Sequence, residues 1–174
     1  CTPPLEARLG ELEEQGKTVI LLTDGERVLV LFAVADTVKD SSRAAIQALH
    51  ELGIKTVMLT GDNAHTARAI AAQIQIDEAL GDQLPEDKLR AIERYAQSGK
   101  VGMVGDGIND APALARADIG FAMGAAGTDT AIETADVALM DDDLNKIARF
   151  VRLSRTTRTV LVQNITLALI IKAV

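Results

Sequence analysis

The 174-residue sequence has one cysteine, no tryptophan, one tyrosine and three phenylalanines. A lone thiol, Cys1, excludes an internal disulfide, and with only two histidines no Cys/His cluster offers a zinc site. That usage fits a reducing, cytosol-facing environment. An aromatic content of 2% removes the stacking platforms that hold single-stranded nucleic acid. Positive charge is also scarce: 18 Lys and Arg against 25 Asp and Glu leave a formal net charge of −7, which disfavours polyanions, so no nucleic acid is expected as a partner. The first sixteen residues hold Pro3, Pro4 and charged groups rather than a basic stretch followed by an apolar one, so no leader peptide is recognisable. Apolar residues are not scarce, at 48%, enough for one core and a small second layer. The sequence opens on Cys1 and stops at Val174 inside an apolar run, which reads as a piece of something longer.

Along the chain, Leu5, Leu9 and Leu12 after Pro4 predict a short amphipathic helix stopped at Gly16. Residues 17–22 and 27–35 are β-branched runs flanking Thr23-Asp24-Gly25-Glu26, a hairpin signal. From Asp36 the pattern changes. Helices are expected over 41–52, 63–75, 85–98 and 111–117, and strands over 55–59, 101–105, 119–123 and 137–140. This alternation predicts an α/β fold, a doubly wound parallel sheet with helices on both faces and its chemistry at the carboxyl ends of the strands. Residues 144–174 contain neither Gly nor Pro and read as one long helix.

Three constellations carry chemistry. Gly105-Asp106-Gly107-Ile108-Asn109-Asp110 empties a strand into a Gly-flanked turn, where Asp106, Asn109 and Asp110 put hard oxygen ligands within reach of one Mg²⁺. The plain alternative is an acidic turn with Asp110 capping the next helix. Thr60-Gly61-Asp62-Asn63 follows another strand; a hydroxyl, a glycine amide and a helix N-terminus together make an anion site, against the alternative of an Asn-capped helix. Lys88 lies in the first turn of the helix opened by Pro85, an unfavourable end of the dipole for a cation. It is either a solvated lysine or a fixed charge facing a phosphate.

Taken in order, these motifs resemble the haloacid-dehalogenase-like phosphoryl-transfer fold. More narrowly, Thr60-Gly61-Asp62-Asn63 with Thr66-Ala67, and Gly105-Asp106-Gly107-Ile108-Asn109-Asp110-Ala111-Pro112-Ala113-Leu114, resemble the phosphorylation domain of a P-type ATPase. The resemblance implies that Asp106 and Asp110 bind Mg²⁺, ordered by Asn109. Thr60 and Gly61 would hold phosphoryl oxygens, Asp62 would shape that loop and the hydrolysis geometry, and Lys88 would neutralise charge on the phosphoryl group. It implies ATP as cofactor and three parts: 1–35 as the end of a nucleotide-binding domain, 36–147 as a phosphorylation domain without its first strand, and 148–174 as a juxtamembrane helix running into a truncated transmembrane helix. The family's nucleophile stands in Asp-Lys-Thr-Gly, and no such run occurs; Asp24 and Asp36 lack the Asp or Thr two residues on that the wider fold requires. The 174 residues alone are therefore expected to be inactive.

Residues 144–158 hold five cations and no acid ahead of the apolar stretch 160–174, a positive-inside flank before a span. A stretch of fifteen residues falls short of the roughly 18 to 20 that a span needs; a basic helix lying at an interface is the alternative. Asn164 and Lys172 are costly in lipid and sit about 12 Å apart along an ideal helix and about 80° around it. Their spacing resembles the zinc, cadmium and lead exporters, whereas the copper subgroup has a Tyr-Asn pair where this sequence has Gln163-Asn164. The resemblance implies a multi-pass protein of a plasma or bacterial inner membrane that exports a soft divalent metal ion through an aspartyl phosphate. The alternatives are a copper-transporting relative, a soluble phosphatase of the same superfamily, and a regulatory remnant that binds Mg²⁺ and phosphate without catalysis. His65 has no assigned role.

Overall fold

The computed structural model describes residues 3–15, 17–25, 27–34, 38–105, 108–124, 129–141 and 143–173. Helix α1 (Pro3–Glu14) leads into strands β1 (Thr18–Thr23) and β2 (Val28–Val34), which pair antiparallel around the expected turn. Ile20, Leu22, Leu29, Phe32 and Val34 of this two-stranded ribbon stay exposed. The boundary expected at Asp36 lies outside the described residues.

After it come α2 (Asp40–Glu51), β3 (Val57–Leu59), α3 (Ala64–Ile74), β4 (Glu78–Leu80), α4 (Pro85–Ala96), β5 (Gly102–Gly105), a 3-10 turn (Ile108–Asp110), α5 (Ala111–Arg116), β6 (Ile119–Met123), α6 (Asp129–Thr134), β7 (Val137–Leu139) and α7 (Asn145–Ala173). Strand β4 and helix α6 were not expected from the pattern. Among the described residues all pairings after β2 are parallel, and they form two groups, β3 with β4 and β5-β6-β7, where one sheet was predicted. Both groups feed one core: Leu59 of β3 packs on the cluster of Ile92, Met103, Ala113, Leu114 and Ala122.

Helices do cover both faces. Successive residues of a strand point to opposite sides, and on β6 Phe121 packs with Leu139 and Ile147 against α7 while Ala122 packs with Ile92 and Leu114 against α4 and α5. Phe150 closes the α7 side with an edge-to-face contact to Phe121 at 5.4 Å between ring centres. Helix α7 runs beside α2, fixed at one end by Asn145 donating to the Ser41 carbonyl (3.4 Å) and at the other by Arg155 donating to that of Leu52 (2.9 Å). The latter places a cation on the carbonyl end of α2, where the helix dipole favours it. Beyond that point α7 is exposed through Ala173; among the described residues no helix is long and apolar enough to cross a membrane.

Candidate functional site

The site grows from the carboxyl ends of β3 and β5. At β3, the Thr60 hydroxyl donates to the Asp62 carboxylate (2.9 Å) and accepts from the Asp62 N–H (3.1 Å), which closes the loop on itself. Asn63 caps α3 by accepting the Thr66 N–H at 2.9 Å, so the expected cap is present beside the loop rather than in place of it. Gly61 and Asp62 are exposed and Thr60 is half-buried, leaving the loop open to solvent. The Thr66 hydroxyl is buried without a partner among the described residues.

The loop rests on the segment after β4. Thr60 N–H donates to the Leu80 carbonyl (3.1 Å) and Gln83 N–H to the Thr60 carbonyl (2.9 Å). The next residue, Leu84, is the N-cap of α4; its N–H donates to the Asp87 carboxylate (3.1 Å), a capping contact that fixes the first turn and with it Lys88. That carboxylate is held below its ordinary range, first by Arg90 and then by the Leu84 N–H.

Lys88 is held at its charged end by a carboxylate. Its side chain is only 16% exposed, and its ammonium meets Asp110 Oδ1 at 2.7 Å; the Asp110 side chain is 11% exposed. It is thus a fixed cation and not a solvated one. Asp110 likewise makes no capping bond to α5, although it sits at the N-cap position, because its carboxylate is turned toward Lys88. The turn demands glycine at 105: a Cβ there would lie 2.6 Å from the Cβ of Asp110 and 3.0 Å from its Oδ2. The structure therefore brings together Thr60, Gly61 and Asp62 on one side and Lys88 and Asp110 on the other, joined by a short bonded segment. Asn109 is exposed beside Asp110. Asp106 and Gly107 lie outside the described residues. Asn164 and Lys172 are exposed on the far half of α7, their side chains without a hydrogen bond or ion pair to the described residues, and are not part of this cluster.

Among the described residues no three His, Cys, Asp or Glu side chains gather as a metal site. The donor chemistry nevertheless suits Mg²⁺, which takes one or two carboxylates and leaves other positions to phosphate and water. Asp110 offers a buried carboxylate with Oδ1 on Lys88. A separate cavity of 520 Å³, lined by Lys100, Arg116 and Asp118 among others, lies at the opposite, amino ends of β5 and β6. Its cations are already paired, Lys100 with Asp118 (2.5 Å) and Arg116 with Glu93 (3.3 Å). Motif reading overlooked Asp82 and Gln83, which carry the Thr60 loop; the only sequence signal was the turn-forming pair Gly81-Asp82.

A haloacid dehalogenase-like hydrolase family matches residues 3–118. A probable cadmium-transporting ATPase of Listeria monocytogenes is 53% identical over 175 residues, covering 99% of this chain and 25% of that protein. A copper-exporting P-type ATPase of Bacillus subtilis is 51% identical over 166 residues, covering 95% and 21%. Among solved structures, a zinc-transporting PIB-type ATPase in its E2.Pi state superposes with a TM-score of 0.84 at 43% identity, over 97% of this chain and 28% of that one. The chain belongs to the haloacid dehalogenase-like hydrolases and, within them, to the heavy-metal P-type ATPases. It spans about a quarter of the length of these relatives.

Proposed function

We propose that these residues form the phosphoryl-handling part of an ATP-driven heavy-metal exporter that cycles through an aspartyl phosphate. The observation that carries the reading is the buried Lys88–Asp110 pair, linked through Gln83 and Leu84 to the Thr60 loop. In this reading residues 1–35 close a nucleotide-binding domain, 36–147 are the phosphorylation domain, and 148–174 lead into the membrane. The nucleophile would belong to a strand upstream, and β3 and β5, edge strands of their groups that share a core but no ladder, are where it would pair.

Each side chain then has a task. The Gly61 N–H holds one phosphoryl oxygen, and the Thr60 hydroxyl holds another by turning its single proton from Asp62 to the ligand, while the Asp62 N–H keeps that hydroxyl placed. Lys88 offsets the negative charge carried by the phosphoryl oxygens in flight. Its Asp110 partner holds the ammonium in place before the phosphoryl group arrives, so little reorganisation accompanies the reaction. Fixed charges of this kind are most of what a protein contributes to phosphoryl transfer. Asp106 and Asp110, with Asn109 beside them, would hold Mg²⁺, which supplies charge neutralisation on the same oxygens.

For the transported ion, Gln163-Asn164 and Lys172 favour zinc, cadmium or lead, with Lys172 a counter-charge near the metal. A copper reading is kept alive by the 51% identity to the Bacillus subtilis copper exporter. The test uses the full-length transporter. Zinc, cadmium or lead should stimulate ATP hydrolysis, and Asp106→Ala should abolish turnover. Lys172→Ala should spare phosphorylation from inorganic phosphate while impairing metal stimulation. Stimulation by Cu(I) alone overturns the ion assignment, and normal turnover of Asp106→Ala overturns the role of that carboxylate.

A further inference from the structure

Asp82 has no part in the phosphoryl chemistry described so far, yet it holds the loop that does. Its φ of 55° is left-handed, a conformation that costs a residue with a Cβ and is tolerated best by Gly, Asn and Asp. Glycine would adopt it without cost, so the side chain has a use. The N–H of Asp82 donates to the Asp62 carbonyl at 2.7 Å, and its Oδ2 accepts the Ala64 N–H at 3.2 Å. One residue thus grips the loop on both sides of Asn63: the last carbonyl before it and the first amide of α3 after it. The grip needs close backbone approach, which Gly81 permits, since a Cβ there would fall 2.5 Å from Ala64 Cα and 2.7 Å from Ala64 N. Asn63 already serves the Thr66 N–H. Asp82 serves a different first-turn amide of α3, and Gln83 fastens the Thr60 carbonyl.

We infer that Asp82 is a positioning residue for phosphoryl binding: by bonding the Asp62 carbonyl and the Ala64 amide it fixes Thr60-Gly61-Asp62 in the shape that accepts phosphoryl oxygens. The inference rests on the function proposed above and adds a residue to it. Removing the carboxylate leaves Thr60 and Gly61 in place but frees the loop to sample other shapes. Tetrahedral and trigonal-bipyramidal phosphate mimics are then bound less well, while ATP, held mainly by the upstream nucleotide domain, is not.

The test compares Asp82→Ala, Asp82→Gly and Asp82→Asn in the full-length transporter, reading half-inhibition by orthovanadate and KM for ATP. Asp82→Ala and Asp82→Gly should raise the half-inhibitory vanadate concentration about three- to tenfold, the size expected for one lost hydrogen bond. KM for ATP should stay within about twofold, and Asp82→Asn, which keeps an acceptor and tolerates positive φ, should restore vanadate sensitivity. Asp82→Gly adopts the left-handed conformation without strain and keeps the test decisive if Asp82→Ala folds poorly. Wild-type vanadate sensitivity in Asp82→Gly overturns the inference, because the backbone conformation alone would then suffice. Equal losses of vanadate and ATP affinity overturn it as well, since they mark general damage. A wild-type transporter that forms no hydroxylamine-labile phosphoenzyme removes the proposed function, and the inference with it, and is seen before any variant is made.

Discussion

Replacing Lys88 by Met removes the charge while keeping most of the stem, and leaves the Asp110 carboxylate, 11% exposed, without its partner at 2.7 Å. At an effective dielectric of about 20 the bare attraction at that distance is on the order of 6 kcal/mol. Desolvation of both ions offsets much of it, and breaking one side of a buried pair typically costs about 3 to 5 kcal/mol. Water still reaches both side chains in part, so the expected loss is about 2 to 3 kcal/mol. For a chain of this size each kcal/mol lowers Tm by about 2 to 4 °C, giving a fall of about 4 to 12 °C. Asp110→Asn removes the opposite charge at nearly constant shape. The double variant should be less destabilised than the sum of the singles by at least about 1 kcal/mol, because neither charge is then stranded. Thermal and urea unfolding of the four proteins measure this. Singles that add to within about 0.5 kcal/mol, or a Lys88→Met loss below that figure, refute the pair as a preorganised unit.

Three further expectations concern other positions. Gly105→Ala, whose Cβ would lie 2.6 Å from that of Asp110, should cost about 1 to 3 kcal/mol, whereas Gly102→Ala, meeting nothing nearer than 3.5 Å, should cost less; comparable urea midpoints for the two variants contradict the steric argument. Asp77 is held below its ordinary value first by the Thr56 N–H at 2.7 Å and further by the Thr56 hydroxyl and His50. A depressed carboxylate stabilises above its unfolded pKa of about 4 and loses that contribution as pH falls through its folded value. The destabilisation caused by Asp77→Asn should therefore be larger at pH 7 than at pH 3, and equal urea midpoint shifts at both would dismiss it. Arg155→Ala should speed amide exchange several-fold in the last turn of α2 with α3 unchanged, because Arg155 covers the Leu52 carbonyl; unchanged exchange there removes the clamp.

How much of this was legible beforehand varies by feature. The loops at Thr60 and Gly105 could be placed because each joins an apolar strand to a helix with a helix-start residue before it, Asn63 or Asp110, a local pattern. The pairing of Lys88 with Asp110 could not, since 22 residues separate them and periodicity says nothing about which side chains meet. Strand β4 escaped notice because Glu78-Ala79-Leu80 favours helix by propensity; only parallel pairing with Val57–Leu59 makes it a strand. The six residues of α6 are too few to show a period. Alternation along a strand reveals its faces and not its neighbours, so a break between β3 and β5 left no trace in the sequence.

The claim at the centre is that the Thr60 loop and Lys88 serve one phosphoryl group. Phosphorylation of the full-length transporter by γ-labelled ATP tests it most directly, with Thr60→Ala and Lys88→Met compared at saturating nucleotide. Both variants should hold labelled, hydroxylamine-sensitive phosphoenzyme at least about tenfold below wild type, the loss of about 1.4 kcal/mol at the reacting group, with nucleotide affinity retained. Phosphoenzyme at the wild-type level in either variant would contradict a shared site.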